Sequence, residues 1–401
     1  MKKITLAIGI VASLLNGAFA QTKKDSNYES RKLKLDEINF VTSYYQQDGN
    51  NSAITGGVGT EYLWDIANSL DVRFSKKDEM GKVHSLALDL NIDHYSSASS
   101  DQIDPLTVSS ASKTDTHFYP SISYSVKDDI TRTTKGLSLN YSTEWDYKSY
   151  GVNFNFAKAS ADNNREFSVK ANAFFDKWMA ILPPELRPAN YPSGAEHDQA
   201  GISYKSRNSY SVAFSLSQVI NKRLQVMATI EPSYQEGLLS TPFHRVYFTN
   251  GNHTVEKLPG TRFKLPIGFR ASYFLGDKVI IKGFYRYYTD NWGMKAHTVN
   301  LEVPYKITSF FSVSPFYRFN TQTAVKYFAP YQQHVATESY YTCDYDISNF
   351  NSNFMGSGIR IAPPNGVLGM KYIQSLELRY GHYTRSNGMV SNIITMALKI
   401  K

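Results

Sequence analysis

Nine histidines are the first residues to weigh for chemistry, and none stands in an HxH, HxxH or HExxH spacing, so the sequence offers no zinc motif. A Ser/His/Asp set would need the fold to gather His94, His244, His297 or His382 at one rim. Scattered histidines near aromatic strand ends read instead as interfacial. Gly356-Ser357-Gly358 is not a GxSxG nucleophile elbow. Gly56-Gly57-Val58-Gly59-Thr60 has Tyr62 where a dinucleotide loop wants glycine, and no Lys-Ser/Thr follows, so it reads as a flexible surface loop or bulge. Asp344-Tyr345-Asp346-Ile347-Ser348-Asn349 alternates oxygen ligands as a calcium loop does. Asn349 then replaces the required glycine and Met355 the bidentate glutamate, so a solvated loop is expected. Asp101 and Asp104, beside Asp93, read the same way. Cys343 is alone, which excludes a disulfide within the chain, and no neighbouring thiol supports redox chemistry there. The expectation is no catalytic set, no metal and no cofactor.

What does stand out is charge at alternate positions. From Val279, the odd residues Val279, Ile281, Gly283, Tyr285 and Tyr287 oppose the even residues Ile280, Lys282, Phe284, Arg286, Tyr288 and Asp290. That is the two-residue period of a strand with one apolar and one more polar face. Val299, Leu301 and Val303, then Phe311, Val313, Tyr317 and Phe319, continue the apolar face. Aromatics collect at strand ends, with Tyr287, Tyr288 and Trp292 at one and Tyr305, Phe310 and Phe311 at the other. The pattern is that of a transmembrane β-barrel with aromatic girdles.

The rest of the chain divides accordingly. Lys2 and Lys3, an apolar run Ile4–Leu15 and Ala18-Phe19-Ala20 form a secretory signal peptide over residues 1–20. Its removal lowers the formal charge from +8 to +6. Residues 21–34 read as a periplasmic leader and 35–401 as the barrel. No stretch is apolar enough for a membrane-spanning helix. Sixteen strands are expected near 36–46, 61–75, 82–95, 115–126, 135–146, 148–159, 165–177 and 200–217, then near 222–236, 261–275, 278–290, 293–306, 309–321, 351–362, 370–385 and 388–400. The long connections 47–60, 96–114, 178–199, 237–260 and 322–350 all follow odd-numbered strands. A soluble sandwich has no reason to sort loops by parity, whereas an outer-membrane barrel keeps long loops outside and short turns inside. The fold class is therefore all-β, a transmembrane antiparallel up-and-down barrel of about sixteen strands.

With the strands in place, the polar positions define two walls. Strands ten to fifteen offer Arg262, Lys264, Arg270, Lys282, Arg286, Arg318, Arg360 and Arg379 against Asp290, Glu302 and Glu377. Strands one to five offer Glu37, Asp71, Asp89, Asp93 and Glu144 against Arg73. Strand three lies across a sixteen-strand cylinder from strand eleven, so a basic wall would face an acidic one across a lumen wide enough for water. Cross-strand pairs such as Arg286 with Glu302, and Glu377 with Arg360, would close that lumen instead. Basic residues pointing inward make no surface patch for nucleic acid.

Several segments are also familiar as text. DGNNSAITGGVGTE (48–61), STEWDYKSYGVNF (142–154), PGTRFKLPIGFR (259–270), YRYYTDNWGMKAH (285–297), FFSVSPFYRF (310–319), FNSNFMGSGIRIAPPNGVLGMK (350–371) and SLELRYGHYTRSNG (375–388) resemble an uncharacterised family of Gram-negative outer-membrane β-barrel proteins. The likeness covers nearly the whole mature chain and implies export and a barrel, with no activity attached. It also hints at envelope redox partners. Many barrels end on an aromatic that the insertion machinery reads; this sequence ends Leu398-Lys399-Ile400-Lys401.

The reading that follows is an outer-membrane, porin-like channel or transporter for small polar solutes, anionic or zwitterionic, gated by the loops at 178–199, 237–260 and 322–350. Its partners would be membrane lipid, the barrel-insertion machinery and the solute, with no nucleic acid. A non-conducting barrel anchoring an envelope complex is the second reading, and a rim enzyme the third.

Overall fold

The computed structural model describes residues 32–96, 114–189, 191 and 203–401. The expected signal peptide, the expected leader up to residue 31, Asp101 and Asp104 lie outside the described residues. Sixteen strands form one closed sheet. They are β1 (Lys34–Asp48), β2 (Leu63–Lys77), β3 (Val83–Ser96) and β4 (Thr114–Phe118 with Ser121–Asp128). Next come β5 (Thr133–Thr143), β6 (Tyr147–Ala159), β7 (Arg165–Met179), β8 (Tyr204–Asn221) and β9 (Leu224–Ile230 with Ser233–Gly237). The second half holds β10 (Thr261–Leu275), β11 (Val279–Asp290), β12 (Lys295–Glu302 with Tyr305–Lys306) and β13 (Phe311–Gln322). It ends with β14 (Phe350–Ile361), β15 (Ile373–Arg385) and β16 (Val390–Ile400). Each strand is antiparallel to the next, and β1 pairs with β16 as well as β2, so the barrel has no free edge.

Three strands are broken, each at a proline, which has no N–H for the ladder. Pro120 interrupts β4, Pro232 β9 and Pro304 β12, yet each carbonyl still accepts from the neighbouring strand, from Tyr141 N, Val212 N and Ile280 N. The register is unchanged across the Tyr119-Pro120 break, with Asp93 opposite His117 before it and Asp89 opposite Ser121 after it.

One contact separates inside from outside. Arg379 of β15 reaches Glu302 of β12 at 3.2 Å, although two strands stand between them in the sheet. Only a chord through the interior joins non-adjacent staves of a cylinder. Register carries this inner face around the wall. Glu302 stands opposite Phe316, Phe316 opposite Gly356, and Gly358 opposite Arg379. The same parity passes through Lys399, Asn39, Asp71, Asp89 and Ser121. It returns through Gln235 and Arg262 to Lys282. The opposite parity is apolar and exposed, with Phe269, Tyr285, Val299, Leu301, Tyr317 and Ile394 among its residues. This is the outward apolar band of a transmembrane barrel.

The five longest connections, 49–62, 97–113, 180–203, 238–260 and 323–349, all follow odd-numbered strands and leave from one end. There the described loops fold on one another into a cap. The 238–260 loop carries a hairpin, Arg245–Tyr247 against His253–Val255. Val246, Phe248 and Cys343 make one small core of the cap. Met179, Ile181 and Phe243 make a second, with Ile54 and Trp145 against it. Leu258, Trp292, Met294 and Val325 make a third. Trp292 is therefore buried in the cap and not in an aromatic girdle, and its indole N–H donates to the Thr261 carbonyl. Tyr288, also expected in a girdle, shares the parity of Lys282 and points inward to Asp290.

Candidate functional site

The inner wall from β10 to β15 is built from cations standing on phenyl rings. Arg270 lies over Phe284, Arg318 over Phe354 and Arg379 over Phe316, at 5.6, 5.7 and 5.0 Å from the ring centroids. Each ring belongs to a strand adjoining the cation's strand or one beyond it, so the parity that aims the guanidinium inward aims the ring inward too. Glu302 is a hub, with Lys282 Nζ at 3.4 Å from one oxygen and Arg379 Nη2 at 3.2 Å from the other. Arg379 also holds Glu377 at 3.2 Å. At the cap end, Arg262 pairs with Asp290 and stacks on Trp292. Among the described residues, Lys264, Arg270, Arg286, Arg318 and Arg360 have no ion-pair partner. The expected pairs are corrected. Arg286 stands opposite Thr298, four residues along β12 from Glu302. Glu377 stands opposite Arg360, as expected, yet its ion pair is with Arg379 on its own strand. Glu302, Phe316, Arg318, Phe354 and Arg379 help line a recess of about 150 Å³ on this wall.

The facing strands carry the carboxylates, some engaged by neutral donors and some by cations. Asp89 accepts from Ser121, Asp93 from Tyr119 and Glu144 from Tyr95, whereas Asp71 accepts from Asn39 and also pairs with Arg73 at 3.0 Å. Glu37 is held by Lys399 and Arg73. Two groups here are not obvious from charge spacing. His117 lies 3.5 Å from Glu144 and stacks on Tyr119. Asp176 pairs with Arg207 at 3.1 Å and accepts from Ser149. A recess of about 500 Å³ opens on this wall, lined by Asp89, His117, Tyr119, Tyr147, Phe174 and Asp176 among others. The parity signal for these residues was present in the sequence; what it lacked was a reason to single out an aromatic or a histidine on the polar face.

The cap holds the other polar assembly. Arg245 is buried, paired with Glu185 and donating to the Ile54 carbonyl at 2.7 Å, so it ties three loops together. Its guanidinium keeps the Glu185 carboxyl below the usual range. Arg385 of β15 pairs with Asp346, and Gln322 of β13 donates to the carbonyls of Asp346 and Ser348, which seats the 323–349 loop on the inner rim. Asp344 is not on a free solvated turn: it faces His244 and Glu256. Burial pushes Asp344 up to about 7. Burial alone would lower His244, but the adjoining Glu256 carboxylate outweighs it and raises the imidazole. Burial also pushes the Cys343 thiol up to about 12, away from nucleophilic chemistry. Gly56 and Gly57 do not cradle a phosphate; Tyr247's ring sits against one and the Cys343 carbonyl against the other. The histidines proposed for a rim set do not converge. His94, His297 and His382 lie on the outer face with Thr116, Tyr285 and Asn392 as partners.

A family model described as a protein of unknown function, DUF3570, matches residues 5–388. The chain belongs to this family. No curated protein matches the DUF3570 chain in sequence. Among solved structures it is similar to a bacterial polysaccharide outer membrane secretin, at 7% identity and a TM-score of 0.44, covering 91% of this chain and 98% of that one. It is also similar to a BenF-like porin from Pseudomonas fluorescens Pf-5, at 9% identity and a TM-score of 0.40, covering 91% and 98%. A third is Pseudomonas aeruginosa OpdK with vanillate, at 6% identity and a TM-score of 0.39, covering 91% and 97%.

Proposed function

We propose that this DUF3570 protein is an outer-membrane channel for small polar solutes, with a preference for anions, and that its cap gates the mouth. What supports this most directly is the run of inner-face cations without an ion-pair partner among the described residues, Arg270, Arg286, Arg318 and Arg360, set against a wall on which Glu37 and Asp71 pair with Lys399 and Arg73 while Asp89, Asp93 and Glu144 accept from hydroxyl donors. Uncompensated cations raise the local anion concentration over a Debye length of about 8 Å at physiological salt. A solute carboxylate or phosphate would pass from one guanidinium to the next, its apolar part against Phe284, Phe354 and Phe316. The acidic wall opposite would orient zwitterions. Refolded protein in a planar bilayer under a salt gradient tests this. Replacing Arg286 and Arg318 together by Glu should move the reversal potential towards cation selectivity, and the shift should shrink as salt rises. An unchanged reversal potential in a conducting barrel would show that these side chains do not line the path.

The packed cap favours one other reading, a closed barrel that anchors an envelope complex. Absence of conductance from correctly folded protein, with the cap loops intact and with them deleted, would favour it.

A further inference from the structure

We infer that the cap contains a site for one divalent transition cation of the Zn²⁺ type, ligated by His244, Glu256 and Asp344, which fastens the loop after β9 to the loop after β13. The three side chains offer ligand atoms that all lie within 4.8 Å of one another. His244 and Glu256 flank the cap hairpin and are held together by the Glu256 N–H donating to the His244 carbonyl at 2.8 Å. Asp344 arrives from the other loop. Thr342 fixes the junction, since its hydroxyl donates to Glu256 Oε2 and accepts from Asp344 N at 3.0 Å. Glu256 is buried and receives Thr241 N on its other oxygen. His244 Nδ1 is fully buried, has no hydrogen-bond partner and stands 3.7 Å from Glu256 Oε2, beyond a hydrogen bond. A tetrahedral ion with bonds of about 2.1 Å holds its ligand atoms about 3.4 Å apart, so the gap needs little closing.

Charge points the same way. Two carboxylates share this space, and neither has a lysine or arginine ion pair among the described residues. Unpaired buried charge is costly, and one imidazolium could neutralise only one of them. A divalent ion neutralises both and takes up the orphaned Nδ1. One nitrogen with two carboxylate oxygens selects a borderline metal, whereas Ca²⁺ and Mg²⁺ prefer an all-oxygen shell. The site does not depend on whether the lumen conducts.

The test uses the full refolded barrel, stripped with chelator and titrated calorimetrically with Zn²⁺, with Ca²⁺ and Mg²⁺ in parallel. The wild type should take one Zn²⁺ per chain and bind the hard cations far more weakly. His244→Ala and Asp344→Asn should each weaken Zn²⁺ by more than the roughly 10-fold that losing even an outer-sphere partner costs at such sites. Asp344→Asn keeps an oxygen for the Asp346 N–H, so it decides the matter should His244→Ala disturb the cap. Zn²⁺ should also slow maleimide labelling of Cys343 in the wild type and leave it unchanged in Asp344→Asn. No uptake by the wild type, equal uptake by both variants, or Ca²⁺ binding as tightly as Zn²⁺ would each overturn the assignment.

Discussion

Replacing Arg245 by alanine should open the cap without unfolding the barrel. Arg245 is 7% exposed, pairs with Glu185, donates to the Ile54 carbonyl and lies over the Phe243 ring at 5.5 Å. Removing one partner of a buried ion pair typically costs about 3–5 kcal/mol. The Glu185 side chain is 40% exposed and can rehydrate, so its share is discounted for solvent. What remains is an unsatisfied Ile54 carbonyl and a lost cation–ring contact, giving a total of about 2–3 kcal/mol. If the cap opens as one unit, that raises the open population roughly 30- to 150-fold, since about 1.4 kcal/mol is a factor of ten. Cys343 reports it. The chain has one cysteine, buried in the core that also contains Val246, where burial pushes its thiol up to about 12. Maleimide labelling in folded protein should accelerate by the same factor, while heat-modifiable migration of the barrel stays as in the wild type. Arg245→Lys, which keeps the charge but loses the fork, should fall between the two. A labelling rate for Arg245→Ala equal to wild type would refute the view that this residue ties the loops into one unit.

Three further outcomes follow from the same geometry. Leu301→Arg, on the exposed outer face of β12, should destabilise the inserted barrel by about 2–4 kcal/mol in a urea titration. Lys282→Ala should cost under about 1 kcal/mol, because its side chain is 47% exposed and Glu302 keeps Arg379; equal costs would reverse the inside–outside assignment. An epitope inserted at His253 in the cap hairpin should be detected on intact cells and one at Asn365, between β14 and β15, should not; detection of the second would invert the orientation. Acid should loosen the cap through Glu185. Its carboxyl is depressed below the ordinary value of 4.5 by Arg245, so the pair's contribution is present above that value and lost as pH falls through the lowered one. Pepsin cleavage in the 238–260 loop, normalised to denatured protein, should therefore quicken below about pH 4.5 in the wild type. Glu185→Gln should show no such acid step.

The sequence by itself determined the barrel. Alternation in Val279–Asp290 sets which side chains face water and which face lipid, and a one-residue slip would invert the whole strand, so the period alone carries the assignment. The parity of the long loops likewise followed from chain order, because each antiparallel strand must reverse end. The three strand breaks were not legible in advance, because Pro120, Pro232 and Pro304 interrupt their strands while Pro266 and Pro315 sit inside continuous ones. Nor were the partners. Glu302 meets Lys282, not Arg286, because register is set by the geometry of the turn between β11 and β12, which alternation does not encode; it is the same on both sides of Pro304. Arg379 reaches Glu302 along an interior chord, a contact between residues 77 positions apart that exists only once the cylinder closes. Trp292 looked like a girdle residue because it follows Tyr287 and Tyr288 at a strand end, yet loop 323–349 folds back over it and Val325 packs against it. His244, Glu256 and Asp344 have no spacing that a motif could capture. They are joined by two loops that begin on strands four apart, and it is the packing of the cap, not the order of residues, that points all three at the same few ångströms of space.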